Sequence, residues 1–231
     1  MQKEETEMRG IIFDFNGTMF FDADLQERAW RMYLGRKIGR EVTDEEFQQY
    51  VHGRNADISI PYFMNRTFTR EEIDALSEEK EAVYRQLCYD TPERFHLAEG
   101  LPEFLDFLKA KGLKMTIATA SALKNVRFYF DSFGLTKWFN IEEAAYDDGT
   151  VKGKPEPDLY IRAMQRIGVS PEHCMVFEDA TAGLIAAQRA GAGRIVGVAS
   201  MLDEAQLFAI EGVDHVIPDY RNAAKLLDEQ N

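Results

Sequence analysis

The hydrophobic pattern changes period twice along this chain. It opens with a continuous apolar run, Gly10-Ile11-Ile12-Phe13, bounded by Arg9 and Asp14, which has the length and composition of a strand buried on both faces. Beyond residue 20 the spacing turns helical. In DLQERAWRMYLGRKIG, Leu25, Ala29, Trp30, Tyr33 and Leu34 recur on one face, and Gly39 marks the stop. Thr43 with Glu46 and Thr69 with Glu72 have the capping-box spacing, a hydroxyl followed three residues later by Glu, and predict two more helix starts. A further helix is expected between them, over Asn55 to Met64, while Ile73, Leu76, Val83, Tyr84 and Leu87 carry the last one towards Cys88. No strand pattern interrupts this region, so it reads as four helices.

From about Gly100 the two periods alternate. A helix over 101–111, stopping at Gly112, leads into strand LKMTIAT, and helix ALKNVRFYFDSFG leads to a short extended piece near WFNI. The aromatic-rich RFYFDSF reads as one face of a core helix. Helix PDLYIRAMQRIG, strand CMVFED, helix ATAGLIAAQRAG, strand RIVGVAS and a last strand near HVIP complete the set. Strands and helices alternating through short connections predict an α/β fold, with a parallel sheet covered on both faces.

Chemistry in such sheets collects at the carboxyl ends of the strands. Four clusters stand there: Asp14, Asn16, Gly17 and Thr18; Thr119-Ala120-Ser121; Lys154 in GKPEPD; and Glu178-Asp179. Carboxylates, a hydroxyl, an ammonium and glycine-rich backbone are an inventory for Mg²⁺ and a phosphoryl group. A carboxylate can attack phosphorus at neutral pH without first losing a proton. Pro155 disfavours helical backbone at Lys154, which keeps that lysine on an extended approach.

Charge narrows the partners. A formal net charge of −13 and a pI near 4.8 argue against nucleic acid, whose phosphates need a Lys/Arg face. No apolar run approaches the roughly 20 residues of a membrane span. The start, MQKEETEM, has no apolar core and reads as a short frayed extension rather than a signal peptide. Cys88 and Cys174 are far apart and read as two ordinary thiols in a reducing cytoplasm, forming neither a disulfide framework nor a zinc site. His52, His96, His173 and His215 share no metal-site spacing. No protein partner is expected.

The motifs DFNGT, TAS, GKPEPD and FEDATAG, in this order and spacing, resemble the four motifs of the haloacid dehalogenase-like superfamily. The helical segment between the first two, with RAW at 28–30 and HGRNADI at 52–58, is similar to the small cap of its phosphatase and β-phosphoglucomutase branch. The likeness runs from Arg9 to about Ala199. It implies a Rossmann-like core over 1–20 and 97–231 with an inserted four-helix cap over 21–96, closing over the site to exclude bulk water. It also implies roles: Asp14 as the nucleophile that forms an aspartyl-phosphate and ligates Mg²⁺; the backbone carbonyl of Asn16, with Glu178 and Asp179, as further metal ligands; Thr119, Ala120 and Lys154 on the phosphoryl oxygens. Arg54 and Gln26 are the candidate substrate contacts from the cap, with packing or salt bridging as their alternative.

Asn16 departs from that pattern. The resemblance implies Asp two residues after the nucleophile, protonating the leaving oxygen and then activating water. An amide cannot exchange a proton at a useful pKa, and such acid–base help is worth about 10²–10⁴-fold. The expected function is therefore a slow Mg²⁺-dependent phosphohydrolase of a small phosphorylated metabolite, with water or a cap residue replacing the acid. The alternatives are a member that binds phosphometabolites with little or no turnover, an Asn engineered to trap a phosphorylated state, and deamidation of Asn16-Gly17. A β-phosphoglucomutase-like phosphotransferase would want an acid at 16 and a His where Gln26 stands.

Overall fold

The computed structural model describes residues 7–51, 54 and 56–228. Strands β1 (Gly10–Phe13), β2 (Lys114–Ala122), β3 (Ala145–Asp147), β4 (Cys174–Glu178), β5 (Arg194–Val198) and β6 (His215–Ile217) form one sheet. Their order is β3-β2-β1-β4-β5-β6, and every pairing is parallel. The apolar run at 10–13 becomes a central strand because both neighbours cover it. Phe13 sits opposite Ile117 on one side and Phe177 on the other, and β1 and β4 are buried throughout.

The chain divides into two compact units, Met1–Phe21 with His96–Asn231, and Asp22–Phe95. The first holds the sheet with α5 (Leu101–Ala110), α6 (Leu123–Phe133), α7 (Asp158–Ile167), α8 (Thr181–Arg189), α9 (Glu204–Phe208) and α10 (Lys225–Asp228). Ala98 donates its N–H to the Met19 carbonyl at 2.8 Å, so the chain returns to this unit beside the point where it left. Under the end of β1 lies an aromatic floor. Phe13 stacks on Phe177 at 5.0 Å between ring centroids and meets Phe104 and Phe139 edge-on. Pairs of this kind add about 0.5–1.5 kcal/mol each beyond the area they bury.

The second unit holds α1 (Ala23–Ile38), α2 (Asp44–Tyr50), α3 (Ala56–Met64) and α4 (Arg70–Asp90). Both capping boxes form, Thr43 with Glu46 and Thr69 with Glu72, satisfying orphan N–H groups of the first turns. Tyr33, Leu34, Phe47, Ile60 and Ile73 make its core. One feature escapes hydropathy: Lys80 is buried, because its ammonium reaches Gln26 Oε1 at 2.9 Å and Glu81, and lies 5.0 Å over the Trp30 ring.

One expectation needs amendment. The extended piece near WFNI lies between two 3-10 turns, at 135–137 and 141–143, and the edge strand is instead Ala145–Asp147. Phe139 is buried against Phe13, the Trp138 indole donates to Asp106, and both backbone N–H groups turn back to the Leu135 carbonyl, so turn bonds and side-chain contacts hold this piece where a strand ladder was expected. Helix α9 was not expected, although Asp203 and Gln206 spell its capping box. Asn55, where α3 was expected to begin, and His52 and Gly53 of the HGR motif lie outside the described residues.

Among the described residues no helix is long and apolar enough to cross a membrane. Cys88 and Cys174 are both free, and burial pushes each thiol up to about 12.

Candidate active site

Strand order places the ends of β2, β1 and β4 side by side. Asp14 follows β1 directly and extends its ladder, donating its N–H to the Phe177 carbonyl at 3.0 Å. The chain then turns back at once. Thr18, Met19 and Phe20 all donate to the Phe15 carbonyl, and Gly17 donates to Phe20. Gly17 has φ of +78°, and a Cβ there would lie 2.2 Å from Asp179 Oδ2. Backbone conformation and close approach both demand glycine.

Asp14, Glu178 and Asp179 are buried and each brings a carboxylate oxygen within 4.8 Å of the others. Lys154, from the loop before α7, reaches into this cluster. Its Nζ lies 2.6 Å from Asp14 Oδ1, 2.6 Å from Glu178 Oε1 and 3.4 Å from the Ala118 carbonyl, and 4.9 Å above the Tyr160 ring. Glu178 accepts from the Ala180 N–H at 2.7 Å, at the start of α8, where the helix dipole favours an anion. Thr18 donates its hydroxyl to Asp179 Oδ1 at 2.9 Å.

Burial pulls the Lys154 ammonium down, but the Asp14 and Glu178 charges outweigh it and leave the lysine raised well above its ordinary value. Burial and then the charges of Glu178 and Asp14 push the Asp179 carboxyl well above the usual carboxylate range. Three carboxylates facing the one Lys154 ammonium leave surplus negative charge out of water, which is costly unless a cation joins them. An all-oxygen donor set suits a hard divalent ion such as Mg²⁺. The residues present therefore fit such an ion.

Gly183 is the least obvious part of this cluster. A Cβ there would lie 1.6 Å from Glu178 Oε1, so α8 can pass the carboxylate only because residue 183 lacks a side chain. Ala in place of Gly in a helix gains about 1 kcal/mol, whereas overpacking costs about 1–3 kcal/mol. Gly183→Ala is accordingly expected to lower thermal stability and to shrink any rise in Tm on adding Mg²⁺ that a divalent ion among these carboxylates would give. Thermal unfolding with and without Mg²⁺ reads both; an unchanged Mg²⁺ response would show that Glu178 does not depend on this gap.

The other named positions divide. Thr119 is buried and its hydroxyl accepts from the Ser121 N–H at 3.1 Å; Ala120 is exposed. Both lie in an irregular stretch of β2, whose register against β3 shifts between Ala118 and Ala122. The Asn16 side chain turns to two hydroxyls, accepting from Ser121 Oγ at 2.9 Å and donating to Tyr129 Oη at 3.0 Å. In the helical unit, Gln26 donates to Asp22 at 3.1 Å and accepts from Lys80, while Tyr84 donates to the same Asp22 oxygen at 2.6 Å. Arg54 is exposed. Sequence reading assigned no role to Thr18, Ser121, Tyr129, Tyr160 or Gly183. Thr18 and Gly183 lay inside recognised motifs, Ser121 closed one of them, and Tyr129 and Tyr160 carried no signal beyond helical burial.

The family model for haloacid dehalogenase-like hydrolases matches residues 8–191, which contain all four clusters. The chain belongs to this family. A crystal structure of a family IA, variant 3, haloacid dehalogenase-like hydrolase from Entamoeba histolytica superposes with a TM-score of 0.88 at 32% identity, covering 96% of this chain and 99% of that one. Protein CbbY of Rhodobacter capsulatus is 36% identical over 94% of this chain and 96% of its own length. The phosphorylated carbohydrates phosphatase of Thermotoga maritima is 28% identical over 85% of this chain and 88% of its own. Within the haloacid dehalogenase-like hydrolases the chain falls in the phosphatase and β-phosphoglucomutase branch, and it is an enzyme of the phosphatase kind.

Proposed function

We propose that the chain is a Mg²⁺-dependent phosphohydrolase of small phosphorylated metabolites, working through an aspartyl-phosphate on Asp14. The observation that carries this reading is the Asp14 carboxylate at the end of β1, 2.6 Å from Lys154 and grouped with two more buried acids. Asp14 supplies a nucleophile that needs no deprotonation. Lys154 supplies the positive charge that the equatorial oxygens of the transferred phosphoryl group share, and Thr119 and Ala120, which follow the Ala118 carbonyl that Lys154 meets, are the proposed further contacts to those oxygens. Asp14, the Asn16 carbonyl, Glu178 and Asp179 would hold the ion, which when bound neutralises charge on the phosphoryl group. Relatives named for phosphorylated carbohydrates and hexitols put sugar and polyol phosphates among the substrates to try first. Arg54 remains a proposed substrate contact, whereas the partners of Gln26 favour a structural role for it.

The test is phosphate release over a panel of sugar phosphates, nucleotides and acyl phosphates, with Mg²⁺ and with EDTA. Release that needs Mg²⁺ and disappears in Asp14→Ala is the expected result. Binding of phosphorylated compounds with no release by the unaltered chain would instead favour the reading in which Asn16 marks a binding protein.

A further inference from the structure

The end of the sheet away from the carboxylate cluster carries positive charge that no acid neutralises. Lys114 opens β2, about 16 Å of extended strand from Thr119. Beside it lies a cavity of about 430 Å³, whose lining includes Lys109, Lys114, Arg166, Glu143, Leu113 and Trp138. Nearby, Lys137 and Arg162 pair with Asp106 and Asp148. Among the described residues Lys109, Lys114 and Arg166 have no such partner. Each donates to a backbone carbonyl instead: Lys109 to that of Lys137 at 2.6 Å, Lys114 to that of Ile167 at 2.6 Å, and Arg166 to that of Ala144. Ile167 ends α7, where the helix dipole favours a cation. These bonds fix the charged groups in place without neutralising them. An ammonium has three donors and a guanidinium five, so most of them remain for another acceptor. One carboxylate, Glu143, shares the cavity, which leaves positive charge in surplus there in a chain of net charge −13.

We propose that this cavity is a second ligand site, and that it takes an organic phosphate with a flat ring, of the size of a nucleoside monophosphate. Pockets for small molecules run to about 300–1,000 Å³, so this one has room for more than an inorganic phosphate. The three cations meet the phosphate oxygens, while Leu113 and Trp138, both half-buried, meet the ring. The Trp138 indole is already held, by its bond to Asp106 at 2.7 Å and by the Lys137 ammonium 4.6 Å over the ring. Side chains pinned beforehand lose little freedom when a ligand arrives, which favours binding. The carboxylate cluster repels an anion until a cation joins it, whereas this cavity attracts one unaided. Binding here therefore needs no Mg²⁺.

The experiment titrates the isotope-labelled full chain by NMR, in EDTA and at low salt, with AMP, adenosine, glycerol phosphate and inorganic phosphate. The chain has two tryptophans, Trp30 and Trp138, so the Trp138 indole signal is identified by its loss in Trp138→Phe. AMP is expected to move that signal saturably, and the other three compounds to bind at least about tenfold more weakly. Lys109→Gln and Lys114→Gln, each checked by thermal unfolding, should weaken AMP by about tenfold or more, the worth of one hydrogen bond to a charged group. Added salt should weaken it further, because these cations are exposed. Asp14→Ala should leave the titration as it is in the parent. A Trp138 signal that stays still at millimolar AMP overturns the proposal, and so does adenosine binding as tightly as AMP. An unchanged titration in the lysine variants also overturns it. A titration lost in Asp14→Ala would assign the shift to the carboxylate cluster instead. Glycerol phosphate or inorganic phosphate binding as tightly as AMP overturns the ring contact.

Discussion

Asp14→Asn is expected to stop phosphate release by more than about 10⁴-fold, the order of loss when a covalent nucleophile is removed. An amide of the same shape cannot attack phosphorus, yet it fills the same space at the end of β1. Stability should not suffer. Lys154 keeps its 2.6 Å contact with Glu178, and one of three crowded carboxylates becomes neutral. In metal-free buffer the variant should therefore unfold at the same temperature as the parent or higher. Acid-quenched enzyme should carry phosphate on the parent chain and none on the variant. A folded Asp14→Asn enzyme within tenfold of the parent rate would remove Asp14 from the role of nucleophile.

Lys154→Met has the second large effect, and it falls on folding as well as activity. The methionine keeps most of the volume but leaves Asp14 and Glu178 facing each other and Asp179 without a buried cation between them. Breaking a buried ion pair by removing one partner costs about 3–5 kcal/mol. For a chain of this length each kcal/mol moves Tm by about 2–4 °C, so a fall of about 6–20 °C is expected without metal. Mg²⁺ should restore part of it, because a divalent ion supplies charge to the same oxygens. Scanning calorimetry of the variant with EDTA and with Mg²⁺ reads both effects. A Tm unchanged in EDTA would mean that the Lys154 contacts contribute nothing net to the fold, while an absent Mg²⁺ response would remove the carboxylates from the metal site.

The two predictions depend on side chains that are 140 positions apart in sequence and 2.6 Å apart in the fold. Their residue types and their placement after strands were readable, since each motif sits where an apolar run stops. The pairing was not. Lysine in GKPEPD could have pointed to solvent, and only its contacts with Asp14, Glu178 and the Tyr160 ring settle that it does not. Tyr129 was hidden for a different reason. Phe128, Tyr129 and Phe130 are all buried on α6, so hydropathy marks a core face without saying which ring reaches residue 16. That depends on how far the helix is rotated against the sheet.

What the sequence determined alone was the local grammar. Alternating strand and helix periods specify a parallel sheet, because strands joined by helices cannot pair otherwise without long returns. The capping boxes at Thr43 and Thr69 set helix starts through contacts spanning three residues. The tertiary structure decided everything that turns on distance: the three acids meeting around Lys154, the glycines at 17 and 183 that admit their oxygens, the Ser121 and Tyr129 clasp on Asn16, and the buried Lys80. These are contacts between segments whose separation in sequence carries no information about their separation in space, so they exist only once the sheet has assembled in its observed order.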